Sequence, residues 1–274
     1  MDILALLGFL ILGVGLGTFG TIIGAGGGFL LVPILLLLGW PHTEAVATSL
    51  FMVTANAVSG SISYWRQRRI DLATGWRFAL ATVPGALIGT TISPLLSGRV
   101  FSIIFGILLL VLSVYLFFNP ERRRTGSVTV PPRPAGAAGW LWTTRDFTDA
   151  HGEHWTYGFS QGWGLLLSFG VGFLSSILGI GGGIIHVPAL INLFNFPAHI
   201  ATATSHFILA ISAATGTTAY LAQGAVQLGP GIALAVGAIA GAQVGGAVSR
   251  RVRSFWIVRG LSLALALVSL RLLF

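Results

Sequence analysis

The sequence predicts an all-α integral membrane protein made of two inverted-topology repeats, each of about five helical segments, with one short or re-entrant segment after a Gly-x-Gly-Gly-Gly break. Three observations carry this expectation: apolar runs of membrane-spanning length, a glycine motif that recurs after 155 residues, and arginines that sit in opposite loops of the two halves.

The apolar runs follow from composition. A chain of 274 residues that is 54% hydrophobic and 8% charged has too few polar side chains to cover a water-soluble globule. Long apolar runs occupy 3–23, 45–64, 76–96, 100–118, 164–178, 201–221, 231–248 and 255–274. Most approach the roughly 20 residues that cross a bilayer as helix. Two shorter runs, 29–38 and 184–194, are about half that length. The first run follows Met1-Asp2 with neither a basic flank nor a small-residue cleavage site, so a retained helix is expected rather than a signal peptide.

The repeat is read from Gly24-Ala25-Gly26-Gly27-Gly28, which recurs as Gly179-Ile180-Gly181-Gly182-Gly183. Around it, Gly15 and Gly17 match Gly170 and Gly172, and Pro33 matches Pro188. After a one-residue insertion, Ala47-Thr48-Ser49 matches Ala203-Thr204-Ser205. Tyr64, Gly85 and Gly89 then match Tyr220, Gly241 and Gly245. The halves are expected at 1–118 and 163–274, joined by a polar segment at 119–162.

Arginine placement orients them. Arg66, Arg68 and Arg69 fill a loop whose counterpart, 222–227, is uncharged, whereas Arg250, Arg251 and Arg253 fill a turn whose counterpart holds only Arg99. If basic loops face the cytoplasm, corresponding loops lie on opposite sides and the halves are inverted. That tracing puts 13 arginines inside and Arg99 and Arg271 outside, with both termini external and the linker cytoplasmic. The linker opens with Arg122, Arg123, Arg124 and a Pro-rich stretch at 131–134. It ends in alternating aromatic and β-branched residues that suggest a small β-hairpin turning near Asp149–Gly152.

The net charge of +8, all from arginine because there is no lysine, would suggest nucleic acid in a soluble protein. Beside membrane spans it suits anionic lipid headgroups, so the bilayer is the expected partner and nucleic acid is not. A chain without cysteine has no disulfide, thiolate metal site or thiol nucleophile. His151 and His154, near Asp149 and Glu153, lack metal-site spacing and read as solvated surface, so no metal and no cofactor are expected.

The residues with chemistry to offer cluster at the repeats. Each glycine motif links a long helix to a short one containing proline, and non-helical backbone at membrane depth survives where protein or a water-filled cavity covers it. Gly26, Gly27 and Gly28, with Gly181, Gly182 and Gly183, would place helix N-termini and their free N–H groups at the midplane, an arrangement suited to an anion. The competing reading is close helix packing through small residues. Thr48, Ser49 and Asn56, with Thr204, Ser205 and His206, could hydrogen-bond an oxyanion. Ser49 and Asn56 share a helix face seven residues apart. His186 and His206 are the ionisable residues lying well within apolar runs, which makes them proton-coupling candidates. Gly89, inside a regular helix, is expected to accept alanine.

At these residues the chain resembles the TauE/SafE family, the sulfite exporter or toluene-sulfonate uptake permease family. The features are the paired glycine motifs each followed by proline, Phe-Leu-Ser-Ser-Ile-Leu-Gly-Ile-Gly-Gly-Gly at 173–183, and Ala-Thr-Ala-Thr-Ser-His-Phe at 201–207. The resemblance implies a multi-pass transporter of the cell inner membrane that exports small anions such as sulfite or organosulfonates, sulfoacetate among them. The spans contain no central arginine to pair with a sulfonate, so recognition would rest on helix ends and hydroxyls. An anion or small-solute channel is the alternative. An enzyme is not expected, because Ser205 and His206 are chain neighbours projecting roughly 100° apart on a helix. Assembly into a homo-oligomer is compatible with the sequence.

Overall fold

The computed structural model describes residues 3–118, 142–148, 154–249 and 254–273. The expected linker start with Arg122–Arg124, the hairpin turn with Asp149, His151 and Glu153, the triplet Arg250, Arg251 and Arg253, and both chain ends lie outside the described residues.

Helix α1 (Ile3–Ile23) stops where Gly24 takes a φ of 82°, and α2 (Gly28–Leu37) restarts from Gly27. Gly39, also left-handed, and Pro41 then turn the chain into α3 (His42–Arg66). Asp71 caps α4 (Leu72–Ile92), its carboxylate accepting the Thr74 N–H at 3.1 Å, and a 3-10 turn at Ser93–Leu95 leads to α5 (Gly98–Phe118). The second half runs as α6 (Gln161–Leu178), α7 (Gly183–Asn192), α8 (Ala198–Ala222), α9 (Leu228–Val248) and α10 (Ser254–Leu273). Between the halves, β1 (Trp142–Thr148) pairs antiparallel with β2 (His154–Ser160), Trp142 opposite Ser160 and Thr148 opposite His154.

Six described helices are long and apolar enough to cross a membrane: α1, α3, α4 with its 3-10 extension, α5, α6 and α9. Helix α8 equals α3 at 25 residues, but its Thr, Ser and His residues dilute the apolar run. Helix α6 begins at Gln161, inside the segment expected to be linker, because β2 hands directly into it at Ser160.

The helices pair across the halves. Helix α1 lies against α9 and α4 against α6, while α3 meets both α8 and α9, and α5 meets α10. Facing residues fix the directions. Gly13 abuts Leu234 and Gly17 abuts Ala238, so α1 and α9 run the same way; Gly85 abuts Phe169 and Gly89 abuts Phe173, so α4 and α6 do too. The corresponding helices α3 and α8 pass in opposite directions, with Leu50 beside Gly216 and His206 beside Gly60. Helices α5 and α10 are likewise opposed, since Ser113 donates to Ser262 O while Gly106 abuts Leu273.

Lipid offers little hydrophobic drive for helix association, so these contacts depend on close approach. A Cβ on Gly89 would stand 2.5 Å from Phe173 O, and one on Gly245 2.5 Å from Thr18 O. The expectation that Gly89 accepts alanine is therefore corrected: its helix is regular, but the space is already held by the α6 backbone. Leu4, Ile11, Leu87, Val111 and Leu267 point outward, the faces that suit lipid tails.

Candidate functional site

Both glycine loops adopt backbone that other residues enter at a cost. Gly24, Gly26 and Gly27 have φ of 82°, 76° and 83°, and Gly179, Gly181 and Gly182 have 70°, 79° and 75°. In the first loop Ala25 and Gly26 donate their N–H groups to Gly20 O at 2.8 and 3.1 Å. Gly27 O accepts from Leu30 and Leu31, and Gly182 O from Ile185 and His186. The leading N–H groups of α2 and α7, at Gly28–Phe29 and Gly183–Ile184, are those that a helix leaves without an internal acceptor.

The loops meet. A Cβ on Gly28 would stand 2.5 Å from Gly179 O, and one on Gly183 would run into Gly24 O. Between them sit two apolar side chains at matching positions of α3 and α8. Val53 and Leu209 both lie within 3.0 Å of the Cβ positions on Gly26 and on Gly181. The contact of the loops is thus plugged by hydrocarbon.

The hydroxyls expected to hydrogen-bond an oxyanion make bonds within the protein at this junction. Ser49 Oγ donates to Gly179 O at 2.8 Å and reaches Gly28 O at 3.4 Å, while Ser205 Oγ donates to Gly24 O at 3.4 Å. Each serine holds the opposite half's loop. Thr48 Oγ1 accepts the Gln227 N–H at 3.1 Å, and Thr204 Oγ1 accepts the Asp71 N–H at 3.0 Å, so each threonine caps the start of a helix in the other half. All four side chains are buried. The physical reason is that irregular backbone away from water must find donors and acceptors within the protein.

Asn56 and His206 come together with Thr21 and Tyr64. Thr21 Oγ1 donates to Asn56 Oδ1 at 3.2 Å and lies 3.5 Å from His206 Nε2. Asn56 Nδ2 reaches Gly17 O at 2.9 Å and Ala238 O at 3.3 Å, and Tyr64 OH donates to Thr21 O at 2.6 Å. His206 Nδ1 is buried without a partner. The other intramembrane histidine, His186, is instead paired with Ser168 of α6 at 3.2 Å. Thr21, Tyr64, Val53, Leu209 and Ser168 were not singled out by chemistry. Register across the repeat could have found two pairs, since Tyr64 matches Tyr220 and Val53 matches Leu209.

One carboxylate anchors the hairpin against this region. Asp71 Oδ2 accepts from Tyr157 OH at 2.9 Å and from Thr74 Oγ1 at 2.6 Å, with Arg145 Nε 3.8 Å away. Burial, and then the adjacent Asp71 charge, push the Tyr157 phenol up from its ordinary value and keep it a donor. Tyr157 and Phe159 pack on Phe78, Phe194 and Phe196, tying the hairpin to α4 and to the α7–α8 connection.

The family model for "Sulfite exporter TauE/SafE" matches residues 9–272. A "probable membrane transporter protein YunE" of Bacillus subtilis is 32% identical over 272 residues, covering 96% of this chain and 96% of its own. A "probable membrane transporter protein ORF9" of Sinorhizobium sp. is 25% identical over 240 residues, covering 88% of this chain and 82% of its own. No solved structure matches.

Proposed function

The chain belongs to the TauE/SafE sulfite exporter family of multi-pass membrane transporters, and from that premise we propose that it is a secondary transporter exporting sulfite or a small organosulfonate such as sulfoacetate. The observation that carries the reading is the meeting of two left-handed glycine loops, each opening a short helix, around Val53 and Leu209. The repeats are of inverted topology, a reading supported by the opposed directions of α3 and α8 and of α5 and α10. Both termini then lie outside the cell membrane and the linker inside, in keeping with the arginine pattern.

In this mechanism the junction of the loops is a closed state. Separating the halves breaks the Ser49 and Ser205 bonds to opposite carbonyls and frees two hydroxyls beside the leading N–H groups of α2 and α7. An oxyanion takes their place, held by hydroxyl donors and positive helix ends. The candidates Gly26, Gly27, Gly28, Thr48, Asn56, Gly181, Gly182, Gly183 and Thr204 surround or frame that seat. Of the two histidines, His206 lies nearer the chemistry through Thr21 and Asn56, and it is the preferred proton-coupling residue over His186.

Flux into proteoliposomes tests the reading, with sulfite, sulfoacetate, taurine and sulfate as substrates. A carrier gives saturable, gradient-coupled flux with one or two preferred anions. Non-saturable flux would replace the carrier by a channel, and no flux of any of these anions would remove the substrate class.

A further inference from the structure

The two halves differ at one position immediately behind each loop: α1 has Gly20 where α6 has Ser175. In the first half the loop lies directly on that glycine. A Cβ on Gly20 would run into the Gly27 nitrogen and stand 2.5 Å from the Gly26 carbonyl carbon. In the second half the Ser175 side chain occupies the equivalent place, its Cβ 3.4 Å from where a Cβ on Gly182 would be.

Ser175 Oγ is fully buried and has no hydrogen-bond partner among the described residues. It lies 3.5 Å from where a Cβ on Gly182 would be, and Gly182 opens α7, a helix of 10 residues. Hydroxyls in membrane helices ordinarily satisfy themselves on a carbonyl one turn back. Thr18 does so with Val14 O at 2.8 Å, and Thr54 with Leu50 O at 2.8 Å. Ser175 Oγ makes no such bond, and it lies beside Gly182, the residue that precedes α7, whose first two N–H groups have no internal acceptor. A buried donor without a partner is costly to keep.

We propose that Ser175 Oγ and the leading N–H groups of Gly183 and Ile184 form a seat for one oxygen of a sulfite or sulfonate group, a seat with a side-chain hydroxyl that the α2 end lacks, since Gly20 stands in its place. The proposal rests on the reading of the chain as a small-oxyanion carrier. Hydroxyl and amide donors converge on the oxygen, and the positive end of α7 offsets its charge. The two loops of the pair then contribute unequally: both offer a helix end, and only the second adds a hydroxyl behind it.

Sodium sulfite and sodium sulfate are the probes, used on purified full-length chain in lipid nanodiscs for binding and in proteoliposomes for flux. Ser175→Ala is expected to weaken sulfite binding by about tenfold, in line with the loss of one hydrogen bond to a charged group, and to raise KM in proportion with Vmax within about twofold. Ser175→Thr, which keeps the hydroxyl, returns affinity to within about threefold. Thermal stability without substrate is not lowered in Ser175→Ala, because no protein bond is lost and an unpaired buried hydroxyl is removed; this separates a binding defect from misfolding. Equal sulfite affinity in wild type and Ser175→Ala overturns the seat and leaves the carrier reading standing. Wild-type chain that neither binds nor moves sulfite or sulfate overturns both.

Discussion

Tyr64 donates to Thr21 O at 2.6 Å and Tyr220 donates to Ser176 O at 2.9 Å. The two tyrosines match across the repeat, as do Thr21 and Ser176, and the same bond is made twice. Around it the side chains diverge. The first pocket holds Thr21, Asn56 and His206, with His206 Nε2 2.5 Å from where a Cβ on Gly60 would lie. The second holds Ser176 and Ser212 in the places of Thr21 and Asn56, and Leu50 in the place of His206, beside Gly216. Asn56 reaches two backbone carbonyls, whereas the hydroxyls of Ser176 and Ser212 are buried without partners. The tyrosine bond to backbone is duplicated because it holds the bent scaffold common to both halves. Side-chain chemistry is free to differ, and it differs most at the buried imidazole of His206, whose place in the second half Leu50 takes.

The largest expected effect breaks that asymmetry. His206→Leu places in the first pocket the residue that Leu50 already contributes to the second, so the variant should insert and keep its melting temperature. Transport should fall by at least about tenfold and lose its dependence on a proton gradient if the imidazole carries the coupling proton. Wild-type uptake by His206→Leu in proteoliposomes would reduce the histidine to a packing residue.

Next in size is a pair for which the halves should behave alike. Gly89→Ala and Gly245→Ala each push a methyl against a neighbouring helix carbonyl at 2.5 Å, and each should cost about 1 to 3 kcal/mol of stability. Chemical unfolding in detergent measures both. A difference of more than about 1 kcal/mol would mean the two helix pairs are not equivalent.

The third comparison should be unequal. Asn56→Ala removes a donor to Gly17 O and Ala238 O and is expected to cost about 2 kcal/mol. Ser212→Ala removes a hydroxyl that has no partner, and its effect should stay within about 0.5 kcal/mol. Similar losses from both would show that Ser212 is bonded after all.

The smallest effect concerns the duplicated bond itself. Tyr64→Phe and Tyr220→Phe keep the ring and remove one hydroxyl donor, so each should lower stability by about 1 kcal/mol. Markedly different losses in the same unfolding assay would mean that one half holds its first helix more firmly than the other.

Much of this architecture could be read along the chain. The apolar runs, the glycine breaks, the short proline-bearing helices and the equivalence of Tyr64 with Tyr220 are all periodic or translational features. They follow from local backbone preference and from a spacing of 155 or 156 residues. An aromatic and β-branched alternation from Trp140 to Tyr157 pointed to a hairpin where β1 and β2 pair. Ser49 and Ser205 stood out in the sequence because Ala-Thr-Ser occurs at the same place in both halves.

What those serines do was not visible. Ser49 meets Gly179 across 130 residues, and Ser205 meets Gly24 across 181. Which hydroxyl reaches which carbonyl depends on how the two halves cross, and a linear pattern carries no crossing angle. The same holds for Gly89. Its helix is regular in sequence and in structure, yet the α6 backbone occupies the space an alanine would need. Local sequence decides conformation because it acts through neighbouring dihedral angles and apolar spacing. Partnership is decided only when distant segments are brought within hydrogen-bonding reach and every buried carbonyl at the junction must find a donor there.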